Sequence, residues 1–147
     1  MVSPNCAALS SPTGLAELAA ELKRLKKAGC KGKYWRFPEL AEHYPVLYTL
    51  GLKLGCPQDV KASGFLQAIL HTAASRIDSG GPYSRAALKL FGLPEPESES
   101  KGASHRPLRV RRKEAADVFY VTPESFAKRY EPEVTSALAY ELLVLAC

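Results

Sequence analysis

The sequence has no stretch approaching the roughly 18 consecutive apolar residues that a membrane span needs. Its four cysteines, Cys6, Cys30, Cys56 and Cys147, are widely spaced, and none forms a C-x-x-C pair. That excludes a C-x-x-C redox or metal motif and a dense disulfide framework, so reduced thiols are expected. The opening residues lack the charged-then-apolar layout of a secretory signal. Together these absences give the expectation of a soluble, cytoplasmic protein. Period-two alternation of apolar residues is missing, as is any internal repeat, which argues against a sheet and against a solenoid.

The motifs of catalysis and metal binding are also scarce. Glu39, Glu42 and His43 share one short helix, but an inverted zinc-peptidase motif needs histidine where Glu39 stands. Paired Glu-x-x-His motifs for a di-iron bundle do not occur. His71 and His105 have no cysteine or carboxylate at a catalytic spacing. Ser79-Gly80-Gly81-Pro82 lacks the lysine and hydroxyl residue that follow a phosphate loop, and reads as a helix stop. No catalytic residue, metal ligand or cofactor is expected, and the chain is read as a non-enzyme.

What is present is helical patterning. With 147 residues, 46% of them hydrophobic, the chain is long enough to bury a core without staples. Residues 1–10 read as an arm. Leu15, Leu18, Leu22 and Leu25 recur at helical spacing, and Gly29 stops that helix. Pro38 and Pro45 open two short helices, since proline's missing N–H would have no partner in a first turn. Leu66, Ile69, Leu70, Ala73 and Ile77 give a longer helix after Asp59, ended by the stretch 78–81. Ser84 is expected to cap a short helix carrying Ala87, Leu88 and Phe91, closed by Gly92. Residues 94–107, rich in proline, glutamate and serine, read as a linker. Two helices follow, at about 110–119 and 123–146, the second interrupted near Pro132. The predicted fold is all-α: a compact bundle of five to seven helices. An N-terminal bundle over 11–93 carries a helix-turn-helix-like pair over 108–147.

That pair gives the most specific signal. Ala116 is the small residue of a first helix, Phe119 the apolar one, and Tyr120 occupies the turn. Val121 anchors, Thr122 caps, and Phe126 packs the second helix back. A turn of this kind favours glycine, because positive φ is cheap there. The run from Arg109 to Leu142, with its A-A-x-x-F-x-V-T-P-E-S-F-x-K-R-Y-E-P pattern, resembles the C-terminal part of a recurring, mostly uncharacterised module of actinobacterial proteins. The usual pattern of that module has leucine-glycine-valine-serine-proline-glutamate where this chain has Phe119 to Glu124. The resemblance implies an all-α, non-catalytic regulatory or adaptor module.

Charge points to the partner. The formal net charge is +5, and residues 106–130 alone net +4. Arg109, Arg111, Arg112 and Lys113 stand at the start of a helix, the positive end of its dipole, where cations are disfavoured. They are expected to contact an anionic partner, with Lys128 and Arg129 beyond them. Thr122 and Ser125 are the candidate base contacts of a groove-reading helix. Glu124, Glu131 and Glu133 on the second helix oppose a phosphate backbone. A second basic patch holds Lys23, Lys26, Lys27, Lys31, Lys33 and Arg36, with no acid between residues 23 and 37. Tyr34, Trp35 and Phe37 interleave with it, as bases could stack there or the rings could plug the core. The apolar tail 142–147 is either enclosed by the N-terminal helices or meets another chain, a partner or a second copy in a homodimer. The favoured function is a regulatory or interaction module binding an acidic protein through its basic patch. The alternative is a helix-turn-helix DNA-binding regulator.

Overall fold

The computed structural model describes residues 12–28, 37–56, 62–93 and 107–146. Among these the regular elements are helical, as the periodicity predicts. They run α1 (Pro12–Ala28), a 3-10 turn (Phe37–Glu39), α2 (Leu40–His43), α3 (Pro45–Lys53), α4 (Ala62–Arg76), a second tight turn (Ile77–Gly80) and α5 (Pro82–Leu90). Then come α6 (Leu108–Val118), α7 (Pro123–Ser125), a π-turn (Phe126–Tyr130) and α8 (Glu131–Ala146). None is long and apolar enough to cross a membrane.

The core is built around α8, which packs against α1, α3, α4 and α5. Val134, Leu138, Ala139 and Leu142 are fully buried and Leu143 nearly so. Glu133, Ser136, Tyr140 and Val144 leave a narrow exposed stripe, and the remaining faces of α8 meet its neighbours, which is why apolar residues spread over most of the helix. Of the apolar tail, Leu142 and Leu143 are enclosed by the rest of the chain, whereas Val144 is exposed. Leu18, Leu22 and Leu25 of α1 and Leu66 and Leu70 of α4 meet it at helical spacing. Each buried leucine contributes about 1.5–3 kcal/mol relative to exposure.

A buried carboxylate fixes the second contact of α1. The start of α3 has Tyr44 at its cap position with no side-chain acceptor, and Pro45 has no N–H to offer. The next two amides, Val46 and Leu47, are orphan donors of the first turn. Glu21 supplies the missing acceptor from α1, its Oε2 and Oε1 taking those amides at 2.8 and 3.0 Å. It is buried, and desolvation pushes its carboxyl above 4.5 despite the Leu47 and Val46 amides.

Helix ends follow the turn chemistry of the sequence, with two departures. Gly55, Gly92 and Tyr120 take positive φ (77°, 67° and 57°) at the ends of α3, α5 and α6. All three close the same double hydrogen-bond motif. At Gly92 the bonds are Gly92 N–H to Lys89 O and Leu93 N–H to Leu88 O; at Tyr120 they are Tyr120 N–H to Asp117 O and Val121 N–H to Ala116 O. The tyrosine thus occupies a position that costs an ordinary residue about 1–2 kcal/mol. Ser84 does not cap α5. It lies inside the helix and is buried, while Gly81 stands at the cap position. The side-chain acceptor comes from Asp78, whose Oδ2 takes the Tyr83 amide at 3.0 Å. Asp78 and Ser79 themselves have positive φ, and a Cβ on Gly81 would come within 2.1 Å of Asp78 Oδ1. Asp59, the expected cap of α4, lies outside the described residues.

Pro132 explains the π-turn. Without an N–H it leaves the Lys128 carbonyl with no helical donor, and its ring crowds that carbonyl. The chain answers one turn early, where Glu131 N–H bonds to Phe126 O, five residues back. The extra residue brings Phe126 and Glu131 onto the inward face, and both are buried.

Candidate functional site

The α6 cations separate into two inward and two outward. Helix α6 begins after Pro107 with no side-chain cap and no acid in its first turn. Arg111, expected at the contact surface, is instead buried. Its two terminal nitrogens donate to the Leu90 carbonyl at 2.6 Å and the Lys26 carbonyl at 2.9 Å. These carbonyls lie at the C-terminal ends of α5 and α1, where helices leave acceptors without donors and where positive charge is favoured. Arg111 therefore joins three helices and is withdrawn from any partner surface.

Arg112 turns to the other side of the same wall. Its Nε and second terminal nitrogen donate to the two oxygens of Glu131 at 2.6 and 3.1 Å. Lys26 of α1 donates to Glu131 Oε2 at 2.5 Å. Lys26 and Glu131 are both buried, so the expectations that Lys26 lies on a surface patch and Glu131 on an exposed helix face are corrected. Burial alone would raise the Glu131 carboxyl. The hydrogen bonds and charges of Arg112 and Lys26 outweigh it and hold the group below 4.5. Lys26, Glu131 and Arg112 form a triad with one cation in excess. Through it the two basic stretches, far apart in sequence, meet in space.

A cleft lies on each side of this triad. The first, about 540 Å³, is walled by Arg109, Arg112 and Lys113 of α6 and by Pro123, Glu124 and Ala127. The second, about 310 Å³, lies between α1 and the start of α8, with Lys23, Lys26 and Glu131 beside Ala19, Ala20 and Ala127. Arg109 and Lys113 are exposed, as are Lys23 and Lys27. Arg109 and Lys113 stand four residues apart, one helical turn, so two like charges face one opening. Among the described residues, neither lining contains an aromatic side chain.

The expected base-contact residues surround the turn into α7. Thr122 caps α7, its Oγ1 accepting the Ser125 amide at 3.2 Å. Thr122, Ser125, Lys128 and Arg129 are all exposed. The Arg129 guanidinium lies 5.9 Å from the centre of the Tyr130 ring. Behind them an aromatic cluster holds the turn in place. Phe119 stacks on Tyr130 at 4.3 Å between centroids, and Tyr83 meets Phe119 edge-on at 5.1 Å. The Tyr83 hydroxyl donates to Glu133 at 2.7 Å. Tyr120, at the apex, is 96% exposed. Lys31, Lys33, Arg36, Tyr34 and Trp35 lie outside the described residues.

Sequence reasoning missed Glu21 and misread Glu131. A signal exists for both. Glu21 sits between Leu18 and Leu22 on the buried side of α1, and Glu131 falls three, four and seven residues before Val134, Thr135 and Leu138. An acid in phase with an apolar stripe marks a buried carboxylate that needs partners. Among the described residues no cluster of three metal-ligating side chains occurs. Comparison with protein-family models, curated proteins and solved structures finds no match to the chain.

Proposed function

We propose that this chain is a non-catalytic interaction module that binds an acidic segment of a protein partner in the cleft between α6 and α7. One observation carries the reading. Arg109 and Lys113 are exposed, alike in charge and one turn apart, and both line that cleft; Arg109 also stands in the first turn of α6, the positive end of its dipole. The like-charge pair and the cation at the helix start are each unfavourable for the isolated chain, by a few tenths of a kcal/mol to about 1 kcal/mol. Arg111 and Arg112 offset their placement by pairing inside the protein; among the described residues Arg109 and Lys113 make no such pair. An anionic partner turns the cost into attraction. The resemblance to the actinobacterial module adds an adaptor role to the same reading.

A second reading, a DNA-binding regulator, is favoured by a different observation: Thr122, Ser125, Lys128 and Arg129 are exposed beside the same cleft. Glu124 in the cleft wall weighs against it, because a carboxylate repels the phosphate backbone that supplies most affinity. One titration separates the readings. A labelled, glutamate-rich peptide and a mixed-sequence duplex are added to the chain over a salt series. The acidic-partner reading expects peptide binding that Arg109→Glu with Lys113→Glu abolishes. Duplex binding that weakens steeply with salt, together with no peptide binding, would replace it with the second.

A further inference from the structure

We infer that the two clefts form one continuous track, and that its occupant is an extended acidic peptide segment running from Arg109 across Ala127 to Lys23. This rests on the acidic-partner reading and adds the extent and chemistry of the bound segment.

The division between the clefts is thin. Ala127 lines both, and the remaining wall is the triad itself: Arg112 faces the first cleft while Lys26 and Glu131 face the second. The Arg112–Glu131 and Lys26–Glu131 contacts, at 2.6 and 2.5 Å, bring side chains of the two linings into direct contact. Its charge is a net +1, so an anionic segment crossing it meets attraction rather than an acidic barrier. The floor on either side is small. Ala19, Ala20 and Ala127 leave the backbone of a bound segment free to approach closely, without long side chains to displace. Cations then mark both ends: Arg109 and Lys113 at one, exposed Lys23 at the other.

The same surface selects a peptide over a nucleic acid strand. Single strands are held by aromatic faces on which bases stack, together with cations, and among the described residues neither cleft has a ring in its lining. Glu124 also stands along the track, where an unbroken row of phosphates would meet repulsion. A peptide can set a donor or a neutral residue opposite that carboxylate and keep its acids for the cations.

The test uses the full chain and a fluorescein-labelled decapeptide of alternating glutamate and glycine. An extended decapeptide reaches about 33 Å, and fluorescence anisotropy reads its affinity. Lys23→Glu and Arg109→Glu reverse charges at opposite ends of the track and remove no buried contact. Each is expected to weaken binding by about fivefold or more, as loss of a complementary charge at an interface does. Full weakening by Arg109→Glu with no change on Lys23→Glu overturns the track and leaves the single-cleft reading standing. No effect of either variant, or no binding at all, overturns both. A ten-residue oligothymidylate that binds more tightly than the peptide and displaces it overturns the assignment to a peptide.

Discussion

Two buried glutamates, Glu21 and Glu131, meet opposite fates in this protein. Each sits on the inward face of a helix and each uses both oxygens. Glu21 accepts two backbone amides at the start of α3, and burial pushes its carboxyl up. Glu131 accepts two side-chain cations and is held down. Amide dipoles satisfy the lone pairs of a carboxylate without cancelling its charge; two cations do both. The difference shows what each site is for. Glu21 completes a helix start whose cap residue, Tyr44, supplies no side-chain acceptor. Glu131 ties α1, α6 and α8 together and holds two cations beside the clefts, so the same carboxylate that stabilises the fold shapes the candidate binding surface.

The sharpest break of this comparison is Glu131→Gln. It leaves Lys26 buried and Arg112 half-buried without a counter-charge, and breaking a buried pair in this way costs about 3–5 kcal/mol. Urea unfolding at pH 7 should show that loss. The wild-type pH response has a definite sign. A carboxyl held below its unfolded value contributes stability that is present above pH 4.5 and lost as pH falls through the folded value. Glu131→Gln should remove that acid sensitivity. A variant as stable as wild type at pH 7 would mean the triad is solvated in solution and offers no fixed wall between the clefts.

Arg111→Met is next in size. Methionine keeps much of the apolar stem and removes the guanidinium, leaving the Leu90 and Lys26 carbonyls without their donor. A loss of about 2–3 kcal/mol is expected, since hydrogen bonds from charged groups are worth about 1.5–3 kcal/mol each and part of the loss is recovered by relaxation. Peptide affinity, measured below the unfolding transition, should stay near wild type. Strong loss of affinity with stability unchanged would return Arg111 to the contact surface.

The helices were legible in the sequence because their causes are local. Leucine spacing in α1, the proline opening α3, and the glycines closing α3 and α5 each act within a turn or two. Tyr120 was legible as a conflict: its position wants positive φ, and the chain adopts it with the ring left almost wholly in solvent, so the cost falls on the backbone alone. The roles of the charges were not legible. Arg111, Arg112 and Lys113 are neighbours in sequence and look alike, yet rotation of about 100° per residue around α6 sends the first inward, the second to Glu131 and the third to solvent. Which acid meets which base depends on contacts between residues as distant as Lys26 and Glu131, and only the packed bundle decides those. The cleft followed the same logic: its basic wall was visible as composition, whereas its continuation toward Lys23 needed α1 and α8 to be in place.

Glu21→Gln gives the smallest change and the finest discrimination between the two carboxylates. Glutamine keeps one oxygen for the Val46 or Leu47 amide and turns an NH2 group toward the other, which costs stability. It also removes a buried charge that the amides do not fully compensate, which restores some. The two effects oppose, so a net change within about 1 kcal/mol is expected at pH 7. The pH dependence carries the information. Because burial raises this carboxyl in the folded protein, the folded state holds its proton more tightly than the unfolded chain. The resulting contribution is fully present below pH 4.5 and is lost as pH rises through the folded value. Replacing the carboxyl with an amide should flatten that decline, the reverse of what Glu131→Gln does on the acid side. If both variants instead removed stability in the same pH direction, the contrast between amide and cation partners would not be the cause of their difference.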